Sequence, residues 1–228
     1  NVLKSYGVSV ITGAGLKEIK EGTAVYTKNG EEDTLDGDAI LLATGRGPNT
    51  EGLHAERAGV ELTKRGAVVT DKHLRTTAEN IWAAGDVCGN LQFTYISLDD
   101  SRIILSDMQG DGSRTTENRG AFAYSVFMEP SFSRAGLSEK EAADKGLNYR
   151  VVRMNTDMIP KAKVLRKTTG MLKAVIDKDS GKIFGAALFC PESYEIINMV
   201  KLAMDHDLDY TVLRDFIYTH PTMSEGLN

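Results

Sequence analysis

The run AILLATG, residues 39–45, constrains this chain more than any other stretch. It carries no charge and ends in glycine, which fits a strand buried on both faces, as strands of parallel sheets are. Ahead of it, VSVI (8–11) reads as a short apolar strand, and the residues between read as a meander. Asn29-Gly30 marks a hairpin turn there, because both residue types tolerate positive φ. A lone strand and a meander cannot bury a core. The expectation is therefore that the fold starts in its middle, with material before Asn1.

A second apolar run, NIWAAG (80–85), closes a turn-rich stretch and is expected to be another buried strand. TYISLDDSRIILSDMQGDG follows with helical spacing, Ile96, Ile103, Ile104 and Met108 approximating one face. The polar, glycine-containing DGSRTTENRG (111–120) is the expected domain boundary. From Ala121 the pattern is that of a separate α/β unit. AYSVFM, YRVVRMN, MLKAVID and IFGAALF read as strands, with KDSGK turning between the last two. LSEKEAADKG reads as a helix whose Ser138 and Glu141 form a capping box and whose Gly146 closes the end. SYEIINMVKLAMDHD is amphipathic, with Ile196, Ile197, Val200 and Met204 on one face. TVLRDFI reads as a short helix that Thr211 could cap.

The chain has 228 residues, enough for one large domain or two small ones with real cores. A net charge of −5 and the lack of a basic stripe argue against a nucleic-acid partner. No apolar run approaches the ~18–20 residues of a membrane span, and no signal peptide is visible. Cys88 and Cys190 stand far apart without CxxC spacing, so they read as reduced cytosolic thiols, with no metal site. His54, His73 and His206 lie in polar surroundings and are expected to be solvated. Asp99-Asp100 reads as a solvent-facing helix surface rather than a metal site.

Three motifs remain that can carry chemistry. In AAGDV an apolar strand ends in Gly85-Asp86; glycine lets a ligand approach the backbone, and aspartate accepts hydrogen bonds from sugar-like hydroxyls. In ATGRGPN (43–49), Gly45 could serve a cofactor in the same way. HPTMSE (220–225) offers His220, whose ordinary pKa suits proton transfer near neutrality, and Glu225, which could fix its tautomer. Pro221 restricts His220 to extended backbone. Singly, a Gly-Asp turn, a surface arginine after a strand and a C-terminal histidine are all ordinary.

In this order, with Gly85 lying 39 residues after Arg46, the motifs resemble the flavin-dependent pyridine nucleotide–disulfide oxidoreductases. Glutathione reductase, dihydrolipoamide dehydrogenase and mercuric reductase are members. The resemblance implies the last part of an NAD(P)-binding domain at 1–44, the returning part of an FAD-binding domain at 45–116, and an interface domain at 117–228. The fold implied is α/β: remnants of Rossmann-like nicotinamide and FAD domains, then an antiparallel sheet with flanking helices. It implies FAD and NAD(P)H as cofactors of the full-length parent. Gly45 would lie near the nicotinamide nucleotide. Gly85 and Asp86 would bind FAD, Asp86 on the ribityl chain, and Thr94 would sit beside the flavin at a helix N-terminus. His220 and Glu225 would act as acid–base pair for a thiol of the other subunit in a homodimer. LQFTYISLDD and IPKAKVLRKTTGMLKAVID are similar to the mercuric-reductase-like branch that includes the reactive-chlorine-resistance flavoprotein.

The family's two GxGxxG segments and its Cys-x4-Cys pair are not in this sequence, and Cys88 and Cys190 match neither redox position. The free fragment is thus expected to be inactive and to hold FAD weakly, yet to dimerise. The implied parent is cytoplasmic and acts on a small-molecule, metal-ion or disulfide substrate, without nucleic acid or membrane. The competing readings are a stand-alone dimerisation unit without catalysis, and a flavin reductase without dithiol chemistry, which would lack the His-Pro-Thr-x-x-Glu tail.

Overall fold

The computed structural model describes residues 2–228, which fall into two compact units divided between Gly47 and Pro48. The first holds a short helix, α1 (Val2–Ser5), and an antiparallel meander of β1 (Ala14–Lys20), β2 (Thr23–Lys28) and β3 (Glu31–Asp36). Asn29 and Gly30 make the expected two-residue turn, both at positive φ (54° and 86°), and set Lys28 opposite Glu31. Cross-strand polar pairs line the ladder: the Tyr26 hydroxyl donates to Asp33 at 2.9 Å, and Lys17 pairs with Glu32.

Neither apolar run of this unit is a strand. VSVI and AILLATG take no regular structure and have no ladder partners among the described residues, and Leu41 is 89% exposed. The composition read as a doubly buried strand, but a parallel strand forms only where neighbours supply its hydrogen bonds and cover its faces. None does so here among the described residues.

In the second unit, residues 48–93 are mostly irregular. NIWAAG is also not a strand; Trp82 makes only an isolated bridge to Arg75. Side chains tie this segment down instead. Asp107 accepts from Arg75 Nε and Nη2 at 2.7 and 2.6 Å and from Trp82 Nε1 at 2.9 Å. Asp107 belongs to α2 (Thr94–Gln109), the helix expected from the spacing. Its buried face holds Ile96, Asp99, Asp100 and Ile103, whereas Met108 is exposed, against expectation. The polar stretch 111–120 is anchored: Thr115 caps a turn at Thr116–Asn118, and the Thr116 N–H donates to the Lys72 carbonyl at 2.9 Å.

Beyond it lies an antiparallel sheet of order β4-β5-β8-β7-β6, formed by β4 (Ala123–Val126), β5 (Phe132–Gly136), β6 (Tyr149–Asn155), β7 (Met171–Asp177) and β8 (Ile183–Phe189). Flanking it are α3 (Glu139–Asp144), α4 (Pro160–Leu165), α5 (Ser193–Asp205) and α6 (Tyr210–Arg214). The main core is here: Ile196, Ile197, Val200 and Ala203 of α5 cluster with Ala135, Ala186 and Leu188 of the sheet. Each large side chain buried this way contributes about 1.5–3 kcal/mol. The capping box of Ser138 and Glu141 forms as expected. At α6 the cap is Asp209, whose carboxylate accepts from the Thr211 N–H at 2.7 Å; Thr211 itself is already inside the helix. No helix among the described residues is long and apolar enough to cross a membrane.

Candidate functional site

Two groups of the residues singled out above take shape within the second unit. The first is the C-terminal turn. The Tyr218 hydroxyl donates to the Leu213 carbonyl at 3.0 Å, and Thr222 Oγ1 donates to the Thr219 carbonyl at 2.8 Å. Met223, 1% exposed, anchors the turn in the core. The His220–Pro221 peptide bond is cis. His220 Nδ1 then lies 2.7 Å from Glu225 Oε1, while Glu225 Oε2 accepts the Thr222 N–H at 2.8 Å.

The Thr222 N–H, and after it the bond to His220, hold the Glu225 carboxyl below its ordinary range. An ionised carboxylate can only accept, so Nδ1 carries the proton and the lone pair of the neutral ring sits on Nε2. The glutamate side chain is 17% exposed and the histidine 67%. The arrangement is a base fixed from behind and open in front, able to take up and return a proton at Nε2.

The second group is the Gly-Asp turn. Gly85–Cys88 form one turn of 3-10 helix, entered by Gly85 at φ 74°. The positive φ favours glycine here, and a Cβ would lie 2.7 Å from Ser97 Oγ of α2, which would have to turn aside. The Gly85 N–H donates to Asp100 Oδ2 at 2.7 Å. Asp100 is 3% exposed and paired with Arg119, whose Nε also lies 3.3 Å from Asp99 Oδ2; Asp99 in turn pairs with Arg114. The two aspartates are therefore a buried, charge-compensated network and not the solvated face expected. Asp86 is exposed, and its carboxylate bonds nothing among the described residues. Thr94 is exposed at the start of α2, where Phe93 provides no side-chain cap. An uncapped helix N-terminus, an open carboxylate and a glycine at positive φ together suit a ligand that carries both hydroxyls and anionic character, as FAD does.

Gly45 lies in the first unit, at φ 122°, with no atom within 4 Å of where a Cβ would be. His54 and His206 are exposed as expected. His73 is not: its side chain is 20% exposed, with Nδ1 3.7 Å from Asp107 Oδ1, because Asp107 gathers the surrounding segment. Cys88 and Cys190 are free and buried, and burial pushes their thiols up to about 11 and about 12. Neither presents a thiolate near neutrality.

Sequence reasoning missed Asp100, Arg119 and the Thr222 N–H. The signal for the first two was available, since a pair of acids on the helix is followed by Arg114 and Arg119 in the next polar stretch. The backbone donor left none.

A profile for the pyridine nucleotide-disulphide oxidoreductase dimerisation domain matches residues 122–228, and one for pyridine nucleotide-disulphide oxidoreductases matches 1–101. The chain is 47% identical over 227 residues to the probable pyridine nucleotide-disulfide oxidoreductase RclA of Escherichia coli, covering 100% of this chain and 52% of that protein. It is 34% identical over 230 residues to a mercuric reductase of Staphylococcus aureus, covering 99% of this chain and 42% of that one. Among solved structures, the Cu(II) complex of the HOCl-induced flavoprotein disulfide reductase RclA from Escherichia coli superposes with a TM-score of 0.90 at 45% identity, covering 99% of this chain and 51% of that one. The chain thus spans about half the length of the relatives it matches.

Proposed function

The chain belongs to the pyridine nucleotide-disulphide oxidoreductase family, and on that premise we propose that it works as the C-terminal part of an FAD-dependent NAD(P)H oxidoreductase of disulfide or metal-ion substrates. Residues 1–44 complete its nicotinamide domain, 45–116 its flavin domain and 117–228 its interface domain. The observation that carries this reading is the His220 Nδ1–Glu225 Oε1 contact of 2.7 Å, closing a segment that matches a dimerisation domain.

Bound FAD would accept a hydride from NAD(P)H and pass the reducing equivalents to a cysteine disulfide. This chain's residues hold and serve that chemistry. Asp86 would accept from a ribityl hydroxyl, with Gly85 leaving the backbone clear. Thr94 and the α2 N-terminus would face the flavin and favour negative charge there. Gly45 would serve the nicotinamide nucleotide. His220 takes the proton of a thiol at Nε2, which frees the thiolate to attack, and returns it to the departing sulfur. Glu225 stabilises the imidazolium between the two steps.

The thiol comes from the other subunit of a homodimer. Support comes from the dimerisation profile and from large apolar side chains left bare in the same segment, Phe127 at 80% and Ile217 at 93% exposure. The two unpaired cysteines suit a reducing, cytoplasmic compartment. The names of the relatives favour a metal ion or a disulfide as substrate.

The test is His220→Gln in the full-length flavoprotein. FAD content should stay normal while disulfide turnover falls by about 10²–10⁴-fold. Unchanged turnover would overturn the assignment. For the 228-residue chain, flavin absorbance from bound FAD would overturn the stand-alone dimerisation reading.

A further inference from the structure

We propose that Asp100 is a positioning residue for the flavin site: it fixes the turn that presents Asp86, and Arg119 fixes Asp100. The inference rests on the reading that Asp86 holds FAD. The geometry behind it is a short chain of contacts. Asp100 Oδ2 takes the Gly85 N–H at 2.7 Å, one residue before Asp86. Ser97 of the same helix also lies close, its Oγ 2.7 Å from where a Gly85 Cβ would be, so α2 both bonds this backbone and packs beside it. Arg119 pairs with Asp100 and reaches Asp99, and Arg114 completes the set.

The energetics favour a positioning role over a stabilising one. Burying a carboxylate is costly, and a buried ion pair is often no more stable than well-packed apolar residues of similar volume. An apolar side chain at position 100 would serve packing as well. It could not accept the Gly85 N–H, and that donor would be left unpaired beneath the turn. What the charged network supplies is therefore one setting of the Gly85-Asp86 backbone, with the exposed Asp86 carboxylate aimed by a buried partner it never touches. Arg119 anchors the network three residues before the dimerisation domain begins at 122.

The test is FAD binding to the full-length apoprotein, followed by quenching of flavin fluorescence on reconstitution. Asp100→Ala should weaken FAD binding roughly ten- to a hundredfold. Asp100→Asn, which keeps an oxygen for the Gly85 N–H, should restore most of that loss. The decisive readout is the double variant. If Asp100 acts through Asp86, Asp86→Ala with Asp100→Ala should bind FAD no more weakly than Asp86→Ala alone, whereas a general structural role would multiply the two losses. Should Asp100→Ala not fold, Arg119→Gln replaces it in the same cycle, with a smaller loss expected from freeing Asp100. Wild-type affinity in Asp100→Ala, or multiplying losses in either double variant, overturns the inference while Asp86 keeps its role. Wild-type affinity in Asp86→Ala overturns the reading of Asp86 and this inference with it.

Discussion

The β1–β3 sheet and the β4–β8 sheet are both antiparallel, and they differ in what they bury. No residue of β1, β2 or β3 is buried, whereas three positions of β7 and four of β8 are. Both have complete ladders with a single irregularity, Leu16/Glu18 in one and Val175/Ile176 in the other. Hydrogen bonding alone therefore does not distinguish them. A ladder exchanges bonds with water for bonds within the chain at little net gain, while area removed from water contributes in proportion to its extent. The second sheet has its stabilisation built in; the first has a register and a turn.

Amide hydrogen exchange puts the largest number on this contrast. Amides of β7 and β8 should exchange at least about a thousandfold more slowly than those of β1 and β2, since local opening spans the range from near zero to the global stability. Equal protection in the two sheets would break the comparison. Next in size is Ile196→Ala, which removes a fully buried side chain from α5 and should cost about 2–5 kcal/mol in denaturant unfolding. Its counterpart Ile19→Ala, on the half-exposed β1, should cost less than about 1 kcal/mol.

A smaller effect is expected at the α3 cap, where Ser138→Ala should cost about 1 kcal/mol. The Ser138 side chain and its N–H, with Arg134 adding to them, hold the Glu141 carboxyl at about 2 against an ordinary 4.5. A depressed carboxyl stabilises the fold above its unfolded value, and the contribution disappears as pH falls from about 4.5 to about 2. Thermal unfolding across that window should show the gap between wild type and Ser138→Ala narrowing with acid. Smallest of all, Lys17→Ala breaks an exposed ion pair of the first sheet and should leave the unfolding midpoint unchanged; a clear drop would mean that polar rungs hold this sheet more firmly than expected.

Legibility in the sequence followed the same divide. Where strands find their partners inside the chain, pattern sufficed: YRVVRMN, MLKAVID and IFGAALF match β6, β7 and β8 residue for residue. So did local chemistry, in the Asn29-Gly30 turn and the Ser138–Glu141 box. VSVI and AILLATG carried strand composition without a ladder partner among the described residues, and NIWAAG found only the single bridge of Trp82 to Arg75; composition does not report which neighbours a strand will meet. In the site, the five-residue step from His220 to Glu225 was readable because one turn closes it. Asp100 was not, because the hydrogen bond it accepts comes from a backbone N–H 15 positions away, and its charge looked like surface until Arg119 was seen to cover it.

The two buried thiols also decide how this chain would age. Oxidants attack a cysteine through its thiolate, and burial holds both Cys88 and Cys190 as thiols near neutrality. The accessible sulfur is in thioethers: of eight methionines, Met108, Met128, Met158 and Met171 are exposed. Oxidative wear on this chain should accumulate there as sulfoxides, a lesion that reductases reverse, and not as disulfide cross-links between molecules.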